Sequence, residues 1–351
     1  MSLPVLLPTS EGERAPVWPP WLDGPLRSLR ERRARIPHAL LVHGPAGVGK
    51  SWLAQAFAAD LLCETTRDDG AGPWAACGRC PGCRWFAAGA HPDLRRLLPE
   101  AMDPDHVPER GRKPSREIRI DAMRALGDFL NHTGHRGGWR VVLIEPADAM
   151  NVYAANALLK SLEEPGARTL LMLISSHPDR IMATIRSRCQ AVAVAAPSTA
   201  EARAWMLAQP DVADDAVDRA LAAAGAPLHA LSGVEPARDA AHRSVLAAIA
   251  GLPDTALPAV VDAIAGVPEI DWTDLLQRWV NDLARVKAGS DARYFPQHRD
   301  RLERLAGRLP WQALIAQHDR LLEARAWRDH PLNPRLVCES LLLQYRDAFV
   351  G

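Results

Sequence analysis

The chain has no net charge. Across 351 residues, 42 Lys and Arg balance 42 Asp and Glu, so attraction to a polyanion must come from local patches. It also lacks a membrane-length apolar run. The longest clean stretch, Val245 to Leu252, is eight residues, whereas a bilayer span needs roughly 18 or more, so neither a transmembrane helix nor a membrane partner is expected. The first residues, Met1 to Pro8, have no basic region and are broken by prolines, which argues against a secretory signal and predicts a cytoplasmic chain. A disulfide framework is missing too. Three of the six cysteines, Cys77, Cys80 and Cys83, fall within seven residues, the spacing of a metal site in a reduced compartment. The sequence shows no clear internal repeat.

What is present is an average soluble composition, 48% hydrophobic and 24% charged, at a length that divides into two or three domains. From about Ile36 to Ala196, short Leu-rich or β-branched runs alternate with helical stretches, predicting an α/β fold with a parallel sheet. Strands are expected over Ala39 to His43, Arg140 to Ile144, Leu170 to Ser175 and Ala191 to Ala196, each apolar enough for burial on both faces. A weaker one lies near Asp93 to Leu98, and Glu100 to Arg116 reads as a solvated loop. After Pro197 the strand signal stops, and helices punctuated by Pro210, Pro227, Pro253 and Pro268 follow. One places Trp272, Leu275, Leu276 and Trp279 on a single face, a core stripe whose sharper alternative is a subunit contact. Upstream, Val17-Trp18-Pro19-Pro20-Trp21-Leu22 reads as an anchor whose indoles pack on the domain. Arg27, Arg30, Arg32, Arg33 and Arg35 read as a solvated basic face, with DNA phosphate contact the sharper reading.

Two motifs carry chemistry. Gly44-Pro45-Ala46-Gly47-Val48-Gly49-Lys50-Ser51 follows a predicted strand and opens a helix, the required context of a G-x-x-x-x-G-K-S phosphate loop. Gly44, Gly47 and Gly49 let backbone N–H groups approach phosphate oxygens, Lys50 lies along the β- and γ-phosphates, and Ser51 offers its hydroxyl to Mg2+. The neighbouring strand ends in Glu145-Pro146-Ala147-Asp148. Glu145 can reach the metal, but Pro146 supplies no second acid and Asp148 is displaced by two residues, so ATP binding with little or no turnover is expected. Cys63, Cys77, Cys80 and Cys83 form the second motif. Four thiolates suit structural Zn2+, with an iron–sulfur cluster as the rival.

An α/β nucleotide-binding domain interrupted by this cysteine module resembles the AAA+ clamp-loader subunits of bacterial DNA polymerase III. Asn156-Ala157-Leu158-Leu159-Lys160-Ser161-Leu162-Glu163-Glu164-Pro165 and Ser187-Arg188-Cys189 carry that likeness. It implies an AAA+ P-loop domain over residues 1–196 with a zinc module at about 63–83, a helical lid over 197–237 and an all-α collar over 238–351. It further implies a role for Arg188 in trans, as an arginine finger in a neighbouring subunit's ATP site. The implied partners are motor gamma/tau and delta-like subunits, with the sliding clamp reached indirectly and primed DNA held by the complex. The absent Asp-Glu pair, and Leu228 where a motor carries an arginine, favour a stator-type member. A gamma/tau-like motor ATPase is the alternative. Since the P-loop is intact, two readings of the pocket stand: occupied but idle, or empty.

Overall fold

The computed structural model describes residues 17–65, 76–107, 114–131, 138–210, 226–231, 236–265, 272–326 and 333–349, with a few single positions between 212 and 221 and at 267. The chain divides into two compact units, Met1–Pro210 and Asp211–Gly351.

The first unit is built on five strands, β1 (Ala39–His43), β2 (Leu94–Leu97), β3 (Arg140–Ile144), β4 (Thr169–Ser175) and β5 (Gln190–Ala193). They form one sheet in the order β2-β3-β4-β1-β5, and every pairing is parallel. β3 and β4 are buried along their whole length, as continuous Val/Leu/Ile runs in a doubly covered sheet should be. β5 differs from its expectation. It stops at Ala193 and is an edge strand with three of its four residues exposed, because only β1 pairs with it. β2 forms the other edge with both of its arginines exposed.

Among its described residues this unit has seven α-helices: α1 (Asp23–Glu31), α2 (Lys50–Leu62), α3 (Pro81–Ala87), α4 (Ile120–Asn131), α5 (Val152–Glu163), α6 (Ala183–Arg186) and α7 (Thr199–Leu207). α2 is apolar on nearly every side and is correspondingly buried except at Ser51, the behaviour of a helix enclosed all round. Val142, Ile144, Leu171 and Leu173 point to the opposite side of the sheet and pack with Ala154, Leu158 and Leu162 of α5. α1 buries Leu26 and Leu29.

The Trp-Pro segment is an anchor, as expected. Trp21 donates from Nε1 to the Val48 carbonyl at 2.8 Å and stacks edge-on against Trp205 of α7. Trp205 Nε1 in turn donates to the Val17 carbonyl at 2.8 Å. Trp18 instead donates to Asp23 Oδ1. The Glu100–Arg116 segment is more organised than a solvated loop: Glu100 Oε2 accepts the Ser115 N–H at 2.8 Å, and Ala101 N–H donates to Ser115 O. Its residues 108–113 lie outside the described ones, as does Gly225 beside Leu228.

Among its described residues the second unit has helices and no strands, the longest helices being Pro236–Gly251, Trp272–Lys287, Trp311–Ala326 and Pro334–Asp347. The predicted stripe is core: Leu275, Leu276 and Trp279 are buried, while Trp272 is partly so. Trp279 Nε1 donates to Tyr345 Oη at 2.9 Å, which satisfies two polar atoms inside that core. Asp282, fully buried, accepts the backbone N–H groups of Arg293, Tyr294 and Phe295 at 2.7–2.8 Å. One carboxylate thereby fixes the turn entering the next helix. No helix among the described residues is long and apolar enough to cross a membrane.

Candidate nucleotide cradle and metal centre

The cradle grows from the carboxyl end of β1, which pairs with β4 on one side and β5 on the other, the end of such a sheet where ligands bind. Gly47 and Gly49 have φ of 70° and 98°, a region open to glycine at no steric cost. Gly44 is required for a second reason. A Cβ there would sit 2.1 Å from the carbonyl oxygen of Val194, the residue after β5, so that segment and the loop can approach only over a bare Cα. Gly49 caps α2, whose first N–H groups and dipole face the loop.

Lys50 is 6% exposed, and its Nζ donates to Gly44 O at 3.0 Å, Pro45 O at 2.6 Å and Ser176 Oγ at 2.9 Å. Burial holds its ammonium below the ordinary lysine range, against the opposing pull of Glu145 and Asp148. Ser51 Oγ donates to Glu145 Oε1 in a short hydrogen bond. Burial raises the Glu145 carboxyl above the usual carboxylate range, although Ser51, Arg96 and Lys50 all pull it down. The P-loop hydroxyl and the strand-end carboxylate thus meet where a nucleotide-bound Mg2+ takes its protein ligands.

Sequence reasoning missed the polar end of β4. Ser175 Oγ donates to Asp148 Oδ1 and accepts the His177 N–H at 2.9 Å, while Ser176 holds Lys50. A 3-10 turn over Ala147–Ala149 therefore returns Asp148 toward the site, engaged with Ser175. The legible signal was a Ser-Ser pair closing an apolar strand, since ligands bind beyond the carboxyl ends of such strands.

The four predicted cysteines converge. Cys63 ends α2, Cys80 caps α3, and the four Sγ atoms all lie within 4.8 Å of one another. Cys63 to Cys80 and Cys77 to Cys83 are each 3.9 Å apart. Four sulfurs at about 2.3 Å from one ion stand about 3.8 Å apart, so the set has room for a single tetrahedral ion and is too tight for a multi-iron cluster at its centre. The N–H groups of Cys77, Cys80 and Cys83 each donate to the Sγ of the preceding cysteine of the set, at 3.2–3.3 Å. For Cys77, burial opposes ionisation, but N–H donors from Arg79 and Cys80 and neighbouring thiols bring its pKa down to about 6. Burial pushes Cys63 and Cys83 upward. Gly82 lets α3 close onto α2, because a Cβ there would meet Leu62 O at 2.5 Å.

Asp60, 1% exposed, links this centre to α1. It accepts Arg30 Nε at 2.7 Å and the N–H of Ala76, the residue before Cys77, at 2.9 Å. Arg30 is therefore an internal ion-pair partner, unlike its predicted role in a solvated face.

Arg188 lies in the short link between α6 and β5. Its Nη2 pairs with Glu163 Oε1 at 2.7 Å and its Nη1 donates to Thr184 O at 2.9 Å, with 37% of the side chain exposed. It stands at the amino ends of the parallel strands, whereas the cradle occupies their carboxyl ends. A strand of five residues separates those ends by about 15 Å.

Parallel sheet, P-loop and strand-end acid place the chain in the class of P-loop α/β proteins, here with a helical C-terminal part. The family described as "DNA polymerase III, delta subunit" matches residues 27–198. The chain is 45% identical over 213 residues to the DNA polymerase III subunit delta' of Pseudomonas aeruginosa, covering 60% of each chain. It is 35% identical over 218 residues to the Escherichia coli subunit of that name, covering 61% of this chain and 60% of the relative. The Salmonella typhimurium DNA polymerase III subunit tau is 33% identical over 155 residues, 44% of this chain and 21% of that one. Over these matched stretches the chain is similar to delta-prime subunits of DNA polymerase III. They span about three fifths of the length of those delta-prime relatives.

Proposed function

We propose that the chain is a stator-type delta-prime subunit of a clamp loader, a cytoplasmic component of a DNA polymerase holoenzyme that helps place the sliding clamp on primed DNA. Its AAA+ P-loop domain (1–196), lid (197–237) and collar (238–351) join motor gamma/tau and delta-like subunits in a hetero-oligomer. Zn2+ held by Cys63, Cys77, Cys80 and Cys83 stabilises the inserted module, which has little core of its own. Gly44, Gly47, Gly49, Lys50, Ser51 and Glu145 hold ATP and Mg2+ with little turnover. Bound Mg2+ would neutralise phosphate charge. The chain's own part is to orient the phosphates through loop N–H groups and to present Ser51 and Glu145 as ligands.

The observation that carries this reading is the position of Arg188 at the end of the sheet opposite its own cradle. A guanidinium there can complete the charge around a γ-phosphate only in another subunit, a contribution of about 10³–10⁵ in rate where it operates. Arg188→Ala is expected to depress the DNA-stimulated ATPase of the reconstituted loader while this subunit stays folded. An unchanged rate removes the trans role.

The gamma/tau-like motor is the second reading, favoured by one observation: Asp148 lies close enough to Lys50 to act on its charge. Motor-like hydrolysis by the purified chain, abolished by Lys50→Ala, would replace the stator reading.

A further inference from the structure

Val48 lies between Gly47 and Gly49, two glycines at positive φ whose flanking peptide units can turn over at little steric cost. Such a loop has to be held in one orientation before it can receive phosphate, because glycine gives up the most conformational freedom on being fixed. Val48 is held on two sides. Its side chain is buried, and its carbonyl accepts the indole N–H of half-buried Trp21, 27 residues away, at 2.8 Å. The peptide joining Val48 to Gly49 is trans, so the Gly49 N–H points away from the carbonyl that Trp21 holds. Loop N–H groups of this kind cradle phosphates. Trp21 is in turn held from α7. Trp205 of that helix meets it edge-on at 5.3 Å and donates from Nε1 to Val17 O. Gln209, buried just beyond α7, accepts the Val17 N–H at 2.9 Å and donates back to Val17 O at 3.3 Å. Residues 17–21 therefore form a strap, clamped on α7 at one end and on the P-loop at the other. Trp205 also meets Trp52, in the first turn of α2, edge-on at 6.3 Å.

We propose that Trp21 is a positioning residue for the phosphate loop, fixing the Val48–Gly49 peptide through its indole N–H, and that Trp205 and Gln209 set Trp21 from α7. A strap that served packing alone could satisfy its indoles locally, as Trp18 does on Asp23, five residues on. Trp21 instead directs its N–H to the loop. The position of α7 is thereby coupled to the cradle along two routes, through the strap to Val48 and through Trp52 to the start of α2. Such coupling is reciprocal, so whatever fixes the loop also fixes the strap and α7. The effect on ATP affinity rests on the reading of residues 44–51 as a nucleotide site; the effect on the loop itself does not.

The test uses the full-length chain, with hydrogen exchange by mass spectrometry in the absence of nucleotide and isothermal titration with ATP·Mg2+ well below the melting temperature. Trp21→Phe keeps a ring against Trp205 but removes the donor. It is expected to speed exchange over residues 44–51 and to weaken ATP about three- to tenfold, the worth of one neutral hydrogen bond. Gln209→Met, which acts through Val17, should shift both readouts in the same direction. The double variant should be no weaker than the more affected single one, because the two lie on one route. Trp279→Phe removes an indole hydrogen bond of the same kind in the second unit and should leave both readouts unchanged. In the wild-type chain, ATP·Mg2+ should slow exchange over residues 17–22 and 199–209. Circular dichroism establishes that each variant is folded. Wild-type exchange over residues 44–51 in Trp21→Phe overturns the proposal, as does wild-type ATP affinity in that variant or an equal loss in Trp279→Phe. A wild-type chain that binds no ATP would instead remove the nucleotide reading, and faster loop exchange in Trp21→Phe and Gln209→Met would still uphold the strap.

Discussion

Asp60→Asn tests whether the metal module is held by the body of the domain. The substitution preserves shape but removes the charge and half of the acceptor capacity. The new amide can face either Arg30 Nε or the Ala76 N–H with its oxygen, so one donor must face the –NH2 group. Breaking a fully buried ion pair costs about 3–5 kcal/mol. Arg30 keeps 26% of its side chain in solvent and can be rehydrated, which brings the expected loss to about 2–3 kcal/mol. An exposed pair supplies the control: Arg124 and Asp121 are 72% and 76% exposed, and Asp121→Asn is expected to cost under about 1 kcal/mol. Urea unfolding of the metal-loaded chain measures both. Because Ala76 leads directly into Cys77, part of the loss should appear as faster metal release to a chelator, roughly tenfold if about 1.4 kcal/mol falls on the module. A wild-type urea midpoint together with wild-type release would refute the view that Asp60 organises this centre.

The cradle and the pH response supply further expectations. Gly44→Ala forces a Cβ into the Val194 carbonyl; it is expected to destabilise by at least about 3 kcal/mol and to abolish nucleotide binding, as read by melting with and without ATP·Mg2+. Lys50→Met should leave thermal stability within about 1 kcal/mol while removing most ATP affinity, because its partners are two loop carbonyls and the Ser176 hydroxyl, which water can serve; isothermal titration checks this. His91 and His298 are both held below the usual value of 6.5, chiefly by burial. The folded chain thus resists their protonation, and stability present above pH 6.5 is lost as pH falls through that value toward the folded pKa values. His298→Gln should flatten this acid arm in urea unfolding between pH 5 and 6.5. If the four cysteines hold a structural metal, a strong chelator is expected to open the Cys63–Cys83 segment to hydrogen exchange, and equal exchange with and without chelator would deny the metal a structural role.

Much of this was legible because burial writes itself into composition. β1 and β3 match their predicted limits, since a strand covered on both faces is an unbroken apolar run with little room for ambiguity. The same reasoning overreads Ala191–Ala196, where small alanines satisfy an apolar pattern on an exposed edge as readily as in a core. The P-loop and the four cysteines were legible because their chemistry fixes local spacing. Contacts made at long range were not. Arg30 looked like one member of a charge run, and only the packing of α1 on α2 gives it Asp60, 30 residues away. Asp148 looked displaced in sequence, yet a 3-10 turn returns it to Ser175.

Helix α2 carries a functional group at each end. Lys50 and Ser51 open it, and Cys63 closes it. Its 13 residues span about 20 Å, buried along almost their whole length against the sheet, α1 and α3. Such a helix moves only by repacking all three neighbours, because close-packed interiors do not deform smoothly. An ion at the Cys63 end fixes α3 and the loop from Ala76 around that terminus, and Asp60 extends the restraint to α1. The orientation of the Lys50 end is thereby set by contacts far from any phosphate. On this account a metal held by the four cysteines would do no chemistry; it would keep the helix that opens at the P-loop from frayed anchorage at its other end. Partial loss of metal should therefore weaken ATP binding before it unfolds the sheet, and chelator titration followed simultaneously by ATP affinity and by far-ultraviolet circular dichroism would expose the opposite order.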